Sequence, residues 1–334
     1  MMARAEIVAT GFYVPDEILT NRFFTESPFN PYKVYIGQDE NNSPLYRKER
    51  VQLTEEKIAT NTGGIKERRR IAQGQDAVDL VCEAFKTTGF DASRLEGIVI
   101  GNVSDPTRYP SLACRVQKRI GAKNVSYAED VSAACSGATH ALDLARLQVQ
   151  ENKGYWLAGG VEVLTRIIDY EEVNCDLFGD GCGLFIVGPT NDATRGILKT
   201  KFRSDISGIE FIYQDSLGKL RMPHGPKVFL KAVRGMIDIA HELTAEAEIP
   251  ETEVDFYIAH QANGRIVNKI EEVVDPQKSG KVIRTIGRYG NMSAATVPVA
   301  LAEAMHKGTI KKGDLVTLID MGSGLAFGGA LIRI

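Results

Sequence analysis

Cysteine is scarce and scattered in this chain of 334 residues. There are five, at positions 82, 114, 135, 175 and 182, an odd number without paired spacing. That excludes a disulfide framework and fits a reducing compartment. No cysteine and histidine lie at zinc-binding spacing, and the Asp176…Asp180-Gly181 segment is too short for a calcium loop. Charge of one sign is lacking too. A net charge of −3 gives no general reason to expect nucleic acid or an acidic membrane as a partner. No apolar run approaches a membrane span, and Met1–Gly11 has no long apolar core of the signal-peptide kind, so a cytoplasmic protein is expected. Gly322-Ser323-Gly324…Gly328 has the wrong spacing for a dinucleotide fingerprint and no βαβ unit after it. No metal and no bound redox cofactor is expected.

What the chain does have is a regular alternation of strand and helix patterns, an α/β signature. Glu6–Thr10 reads as a strand, Asp76–Thr88 as a helix, Gly97–Asn102 as a buried strand and Ser111–Ile120 as a helix. Val125–Val131 and Tyr155–Gly159 are further strands, and Asn174–Pro189 is a glycine-broken turn entering a buried strand. The second half repeats this outline. Val228–Glu246 is a long helix, Val254–Ala259 a strand, and Lys281–Ile286 leads through Gly290-Asn291 into the helix Ala294–Met305; Leu315–Asp320 and Gly322–Ile332 follow. The expectation is a duplicated architecture, halves 1–190 and 191–334, with a site between them. Two stretches stand apart. Residues 27–57 are polar and rich in turn formers, the least regular part, expected to be a surface excursion that covers something. Lys66–Arg70, the densest charge cluster, reads as a solvated loop, with an anion contact as the alternative.

The chemistry gathers around Cys135. A β-branched run ends in Ser132-Ala133-Ala134, then Cys135, then Ala138, Ala141, Leu142 and Ala145 at helical spacing. A cysteine taken alone is more often a small buried hydrophobe. One on a tight strand-to-helix turn meets unpaired N–H groups and the positive end of the helix dipole, which should lower its pKa. The small neighbours leave room for a substrate. His260 is the one histidine of five that ends an apolar strand, and Asn291 sits among small residues in YGNMSAAT. Cys, His and Asn together form an acyl-transfer set: a nucleophile and two donors for oxyanion charge.

SAACSGATHAL, FGDGCG, HQANGRI, GNMSAATVP and MGSGLAFGGALIRI, in that order, resemble the β-ketoacyl-acyl-carrier-protein synthase III family of the thiolase superfamily. The resemblance runs from TGFYVP through GGIKERR to the C-terminus. It implies a thiolase-like α/β fold of duplicated αβαβα halves with mixed five-stranded sheets. It implies that Cys135 takes an acyl group from a thioester. His260 and Asn291 then hold the oxygen of a malonyl-type donor as it loses CO₂, and the carbanion attacks the acyl-cysteine. The backbone N–H of Cys135 and the Ser323-Gly324 turn would form the acyl oxyanion hole. Tyr109 would reach the partner protomer's acyl tunnel, which implies a homodimer. Phe178–Gly181 would be scaffold, and Arg265 would belong to a carrier-docking region. Substrates would ride on the phosphopantetheine of coenzyme A or of acyl carrier protein.

Departures from the family pattern bear on substrate. Lys57 and Asn61 stand where the resemblance leads one to expect the adenine-stacking tryptophan and an arginine, and Glu271-Glu272 replaces a basic pair. Losing an aromatic platform weakens stacking on coenzyme A. These departures suit a secondary-metabolism ketosynthase charged by another thioester. The alternatives are a dialkylresorcinol-type enzyme joining and cyclising two acyl chains, an acyltransferase to an oxygen or nitrogen nucleophile, and a non-catalytic partner subunit, which usually lacks the nucleophile.

Overall fold

The computed structural model describes residues 4–26, 33–40, 43–48 and 53–334. Two mixed sheets form its frame. Strands β1 (Arg4–Tyr13), β2 (Leu95–Gly101), β3 (Tyr127–Val131), β4 (Tyr155–Val163) and β5 (Asp180–Thr190) make the first, in the order β1-β5-β4-β2-β3. Strands β6 (Gly196–Ser204), β7 (Phe256–Ala259), β8 (Leu315–Gly322) and β9 (Ala326–Arg333) make the second, in the order β6-β9-β8-β7. The pairings repeat as well: antiparallel β1/β5 and β5/β4 match β6/β9 and β9/β8, and parallel β4/β2 matches β8/β7. The fold is the thiolase-like α/β duplication, with one adjustment. The second sheet has four strands, not five. In the place corresponding to β3, Lys281–Ile283 makes a single parallel bridge: Tyr257 N–H donates to Lys281 O at 2.8 Å, and Ile283 N–H to Tyr257 O at 3.0 Å. Gly280, at φ +92°, precedes it, and by Ile286 the chain is helical, so too few extended residues remain for a ladder.

Helices Gly137–Asn152 and Thr296–His306 lie between the sheets. One shared core contains Ala141, Leu142 and Ala145 of the first helix, Val297, Ala300 and Leu301 of the second, and residues of both sheets. Burial explains the composition: every residue from Thr296 to Ala304 is buried, so the helix has no polar face to preserve. Small residues let it and its counterpart approach the strands. A Cβ on Gly101 would come within 2.4 Å of the Gly137 backbone. The outer face of the first sheet packs on Ala77–Thr88 and Leu112–Ile120, and that of the second on Gly225–Glu246 and Gly264–Val274. Helix starts follow their caps. Asp76 and Asp79 form a reciprocal capping box, and Ser111 accepts from Cys114 N–H at 3.1 Å.

Two expectations about the N-terminal region are corrected. The polar stretch is not irregular throughout. Lys33–Gln38 and Pro44–Lys48 form an antiparallel ribbon, and Glu55–Thr62 is a helix capped by Thr54; residues 27–32, 41–42 and 49–52 lie outside the described residues. The alternation that keeps Tyr35 and Tyr46 on one face drives this pairing. That face closes over Arg221, whose guanidinium lies 5.1 Å from the Tyr35 ring and 5.6 Å from the Tyr46 ring. Arg221, 1% exposed, also pairs with Asp215 at 2.8 Å, Asp169 at 2.9 Å and Glu172 at 3.0 Å. Lys66–Arg70 is not a solvated loop either. Glu67–Arg70 is a strand paired with Glu17–Thr20, and Arg68 is wholly buried. Its Nε donates to Asp176 O at 2.6 Å and its guanidinium lies 5.0 Å from the Phe24 ring. Hydrogen bonding to backbone and an aromatic face replace the water that a buried charge loses.

Candidate active site

Cys135, His260 and Asn291 line one cavity of ≈ 1300 Å³ at the seam between the two halves. Cys135 and His260 follow strands, whereas Asn291 follows the short helix Ile286–Tyr289 and the Gly290 turn. Cys135 sits in the 3₁₀ turn Ala134–Ser136, between β3 and the helix Gly137–Asn152. Ala134 has φ +47°, a strained conformation that aims the turn at the cavity. Gly322, at the end of β8, lies so close that a Cβ there would be 3.0 Å from Cys135 N. Ser323 therefore follows beside the thiol and lines the cavity, whereas Gly324 does not.

His260 is 1% exposed at the end of β7. Its Nδ1 meets Thr296 Oγ1 at 2.6 Å, which leaves Nε2 for the cavity. Burial lowers its pKa to about 3, so the ring is neutral. Asn291 is fixed by its own turn. Its N–H donates to Leu177 O at 2.8 Å, and its Oδ1 accepts Ser293 N–H at 2.8 Å. With the oxygen so occupied, the NH₂ end is the one available to a ligand. The cavity thus holds a thiol, an amide donor and a neutral imidazole, whose Nε2 is a donor in the tautomer in which Nδ1 accepts the Thr296 hydroxyl.

The thiol overturns one expectation. Burial pushes the Cys135 pKa up to about 12, with Glu162 and Asp320 adding to the rise and the Ser293 hydroxyl opposing it. The thiol is partly buried at the cavity wall, and the shift runs upward, against the lowering expected from the helix terminus, so the resting group is a thiol.

The other sequence-derived positions divide. Arg265 lines the cavity with its guanidinium 5.6 Å from the Phe229 ring. Asn61 lines it as well; Lys57, one turn earlier, does not. Glu271 pairs with Arg284 at 2.6 Å and Glu272 with Lys269 at 2.7 Å. Tyr109 is 86% exposed and does not line the cavity. Asp180 of the Phe178–Gly181 segment accepts from Ile71 N at 2.8 Å and Thr165 N at 2.9 Å, a scaffold geometry. Three further residues stand near the site: Thr296, Ser293 and Glu162. Glu162 had a signal, a lone carboxylate inside the apolar strand YWLAGGVEV. The serine and threonine had none beyond their place in YGNMSAAT.

Residues 129–206 match the family described as 3-oxoacyl-[acyl-carrier-protein (ACP)] synthase III, and residues 244–334 match its C-terminal part. A β-ketoacyl-[acyl-carrier-protein] synthase III of Aquifex aeolicus is 36% identical, over 98% of this chain and 99% of the relative. The chain belongs to the β-ketoacyl-[acyl-carrier-protein] synthase III family. The crystal structure of the Aquifex aeolicus VF5 synthase III superposes with a TM-score of 0.85 at 35% identity, covering 99% of this chain and all of that one. The priming β-ketosynthase of the R1128 polyketide pathway matches with a TM-score of 0.85 at 25% identity, over 100% and 98% of the two chains. Its relatives therefore include, beside enzymes named as β-ketoacyl-[acyl-carrier-protein] synthases III, one named for a polyketide pathway.

Proposed function

We propose that this protein is a ketosynthase that joins an acyl group to a malonyl-type thioester by decarboxylative Claisen condensation. The observation that carries this reading is the convergence of one thiol and two neutral donors in a single cavity, with Cys135 on the first half and His260 and Asn291 on the second. Cys135 attacks the acyl thioester and holds the chain. His260 Nε2 and the Asn291 amide then face the carbonyl oxygen of the second thioester. As CO₂ leaves, negative charge develops on that oxygen, and donors already in place lower the barrier; losing one costs about 3–4 kcal/mol. The carbanion attacks the acyl-cysteine carbonyl, whose oxygen is offered the Cys135 N–H and the Ser323 backbone beside it. Transfer to an oxygen or nitrogen nucleophile would leave His260 and Asn291 without a charge to stabilise. No step calls on a metal or redox group.

The substrates are read as thioesters on a phosphopantetheine arm. Of the cavity-lining residues at the family-pattern positions, Asn61 supplies no stacking platform for adenine, while Arg265 supplies a charge. A carrier-protein-borne acyl donor suits this better than coenzyme A. A homodimer is also part of the reading. β3 is the edge of its sheet, Tyr127 on it is 40% exposed, and Leu144 and Leu147 on the neighbouring helix are exposed, as is Tyr109. Among the described residues no helix is long and apolar enough to cross a membrane; a cytoplasmic enzyme is our reading.

Intact-protein mass after incubation with matched acyl-coenzyme A and acyl-carrier-protein panels tests the core of this. The expected result is one acyl adduct, absent in Cys135→Ala, with carrier-borne acyl groups preferred. An adduct that persists in Cys135→Ala would remove Cys135 as the nucleophile.

A further inference from the structure

Glu162 is a buried carboxylate that the reaction as derived does not use. It projects from β4, is fully shielded from solvent, and has no salt bridge among the described residues. Its Oε2 accepts Ser104 N–H at 3.1 Å and Val103 N–H at 3.3 Å. Its Oε1 accepts the Ser293 hydroxyl at 3.0 Å. Ser293 and Cys135 line the same cavity and their two turns pack against each other, so the hydroxyl stands between the thiol side of the cavity and the carboxylate. It favours the Cys135 thiolate. Thiol, hydroxyl and carboxylate thus stand in succession from the cavity into the sheet, the last two joined by a hydrogen bond. An uncompensated buried carboxylate is costly, and backbone N–H groups on one oxygen reduce that cost without cancelling it.

We propose that Glu162 receives the Cys135 proton through the Ser293 hydroxyl during acylation and returns it by the same path during condensation. This rests on Cys135 being the nucleophile. As sulfur bonds to the acyl carbon and the carrier's C–S bond breaks, the S–H proton moves to Ser293 Oγ and the Ser293 proton to Glu162. The departing thiolate takes a proton from solvent. In the second half-reaction the enolate carbon displaces sulfur from the acyl carbon, and the Cys135 thiolate recovers its proton from Glu162. Each turnover consumes one solvent proton, matching the conversion of the malonyl carboxylate to CO₂. A relay of this kind answers the problem of a thiol that burial keeps protonated: a free thiolate need never accumulate.

Burial raises the Glu162 pKa to about 7, so the carboxylate changes state in the neutral range. Titratable and charged groups on the surrounding elements are otherwise engaged. Asp105 pairs with Arg115, Arg166 donates to Gln75 O, and Asp180 is held by Thr165 and Ile71. His260, which touches the Ser293 turn through Thr296, stays neutral down to about pH 3. Two further carboxylates bear on the site: Asp320, held by Thr139 Oγ1 at 3.0 Å and raised well above the ordinary carboxylate range by burial, and Asp176 of the cavity wall, pushed up to about 6 by burial. Glu162 is the one hydrogen-bonded to Ser293, so loss of the rise in Ser293→Ala distinguishes it from both.

The test is alkylation of Cys135 by iodoacetamide, followed on the Cys135 peptide by mass spectrometry from about pH 5 to about pH 10. In the wild type the rate should rise through about pH 7, as Glu162 ionises. Glu162→Gln and Ser293→Ala should both lose that rise and react about 100-fold more slowly at neutral pH. Ser293→Ala keeps the carboxylate and the backbone N–H that holds Asn291, so it serves if Glu162→Gln folds poorly. A rise near pH 7 retained in either folded variant would overturn the relay. Thioester adducts are scored separately. Their absence in the wild type would sink the ketosynthase reading, while the alkylation profiles would still decide the proton path.

Discussion

At the scale of single residues, the site is built from groups whose charge has been suppressed. A neutral imidazole and an amide are donors without a fixed charge, so they contribute most when the substrate oxygen becomes negative. Asn291→Ala should therefore leave acylation of Cys135 nearly intact and slow condensation by about 100-fold or more. Separate single-turnover measurements of acyl-enzyme formation and product release of CO₂ check this; equal losses in both steps would contradict the division of roles. His260 also carries a stability signature. Its pKa falls from 6.5 in the unfolded chain to about 3 in the native one. Between those values the unfolded state binds the extra proton, so stability falls as pH drops from about 6.5 toward about 3. Replacing His260 with Gln should flatten that part of the stability profile in urea titrations against pH.

At the scale of elements, the aromatic ribbon and the Arg221 cluster work as one unit. Arg221 joins the ribbon's two tyrosines to carboxylates on the Asp169–Glu172 and Asp215 loops. Neighbouring residues of those loops, Ile167, Val173, Gln214 and Leu217 to Leu220, line the cavity. Arg221→Met would leave three carboxylates around an apolar stem, with an expected loss of about 3–5 kcal/mol in chemical denaturation. None of this was legible in the sequence, because it depends on aromatics and acids far apart along the chain meeting around one arginine. The same holds for Arg68, whose burial turned the densest charge cluster into part of the interior. The strand and helix succession was legible. Its signals are local: Asp76 and Ser111 cap where the pattern begins, and period-two and period-3.6 burial follow. The nucleophile and histidine were legible for a related reason, since each follows a strand pattern; the asparagine was legible from the small residues around it in YGNMSAAT, although a short helix and not a strand precedes it. The state of the thiol was not, because desolvation is set by the cavity wall and not by the turn.

At the scale of the whole molecule, the paired halves make a single reaction centre and leave one sheet edge open. If β3 is the seam of a dimer, charges placed there should break it. Tyr127→Lys combined with Leu147→Glu is expected to convert a dimer to monomer in sedimentation velocity, with loss of condensation where the partner's Tyr109 completes the acyl tunnel. A wild-type monomer at working concentration would refute the dimer.

The duplication has one more consequence. The turn Ala134–Ser136 and the turn Ser293–Ala295 occupy corresponding places, each entering a central helix, and their first residues share the same unusual backbone, φ +47° and φ +46°. In that correspondence Cys135 is matched by Ala294. One copy of the motif kept the reactive atom; the other kept the same bend and used it to bring a hydroxyl and an amide to its sibling's side. Exchanging the two segments would keep their bends and remove the chemistry. The halves have become complementary tools cut from one template, and neither can stand in for the other.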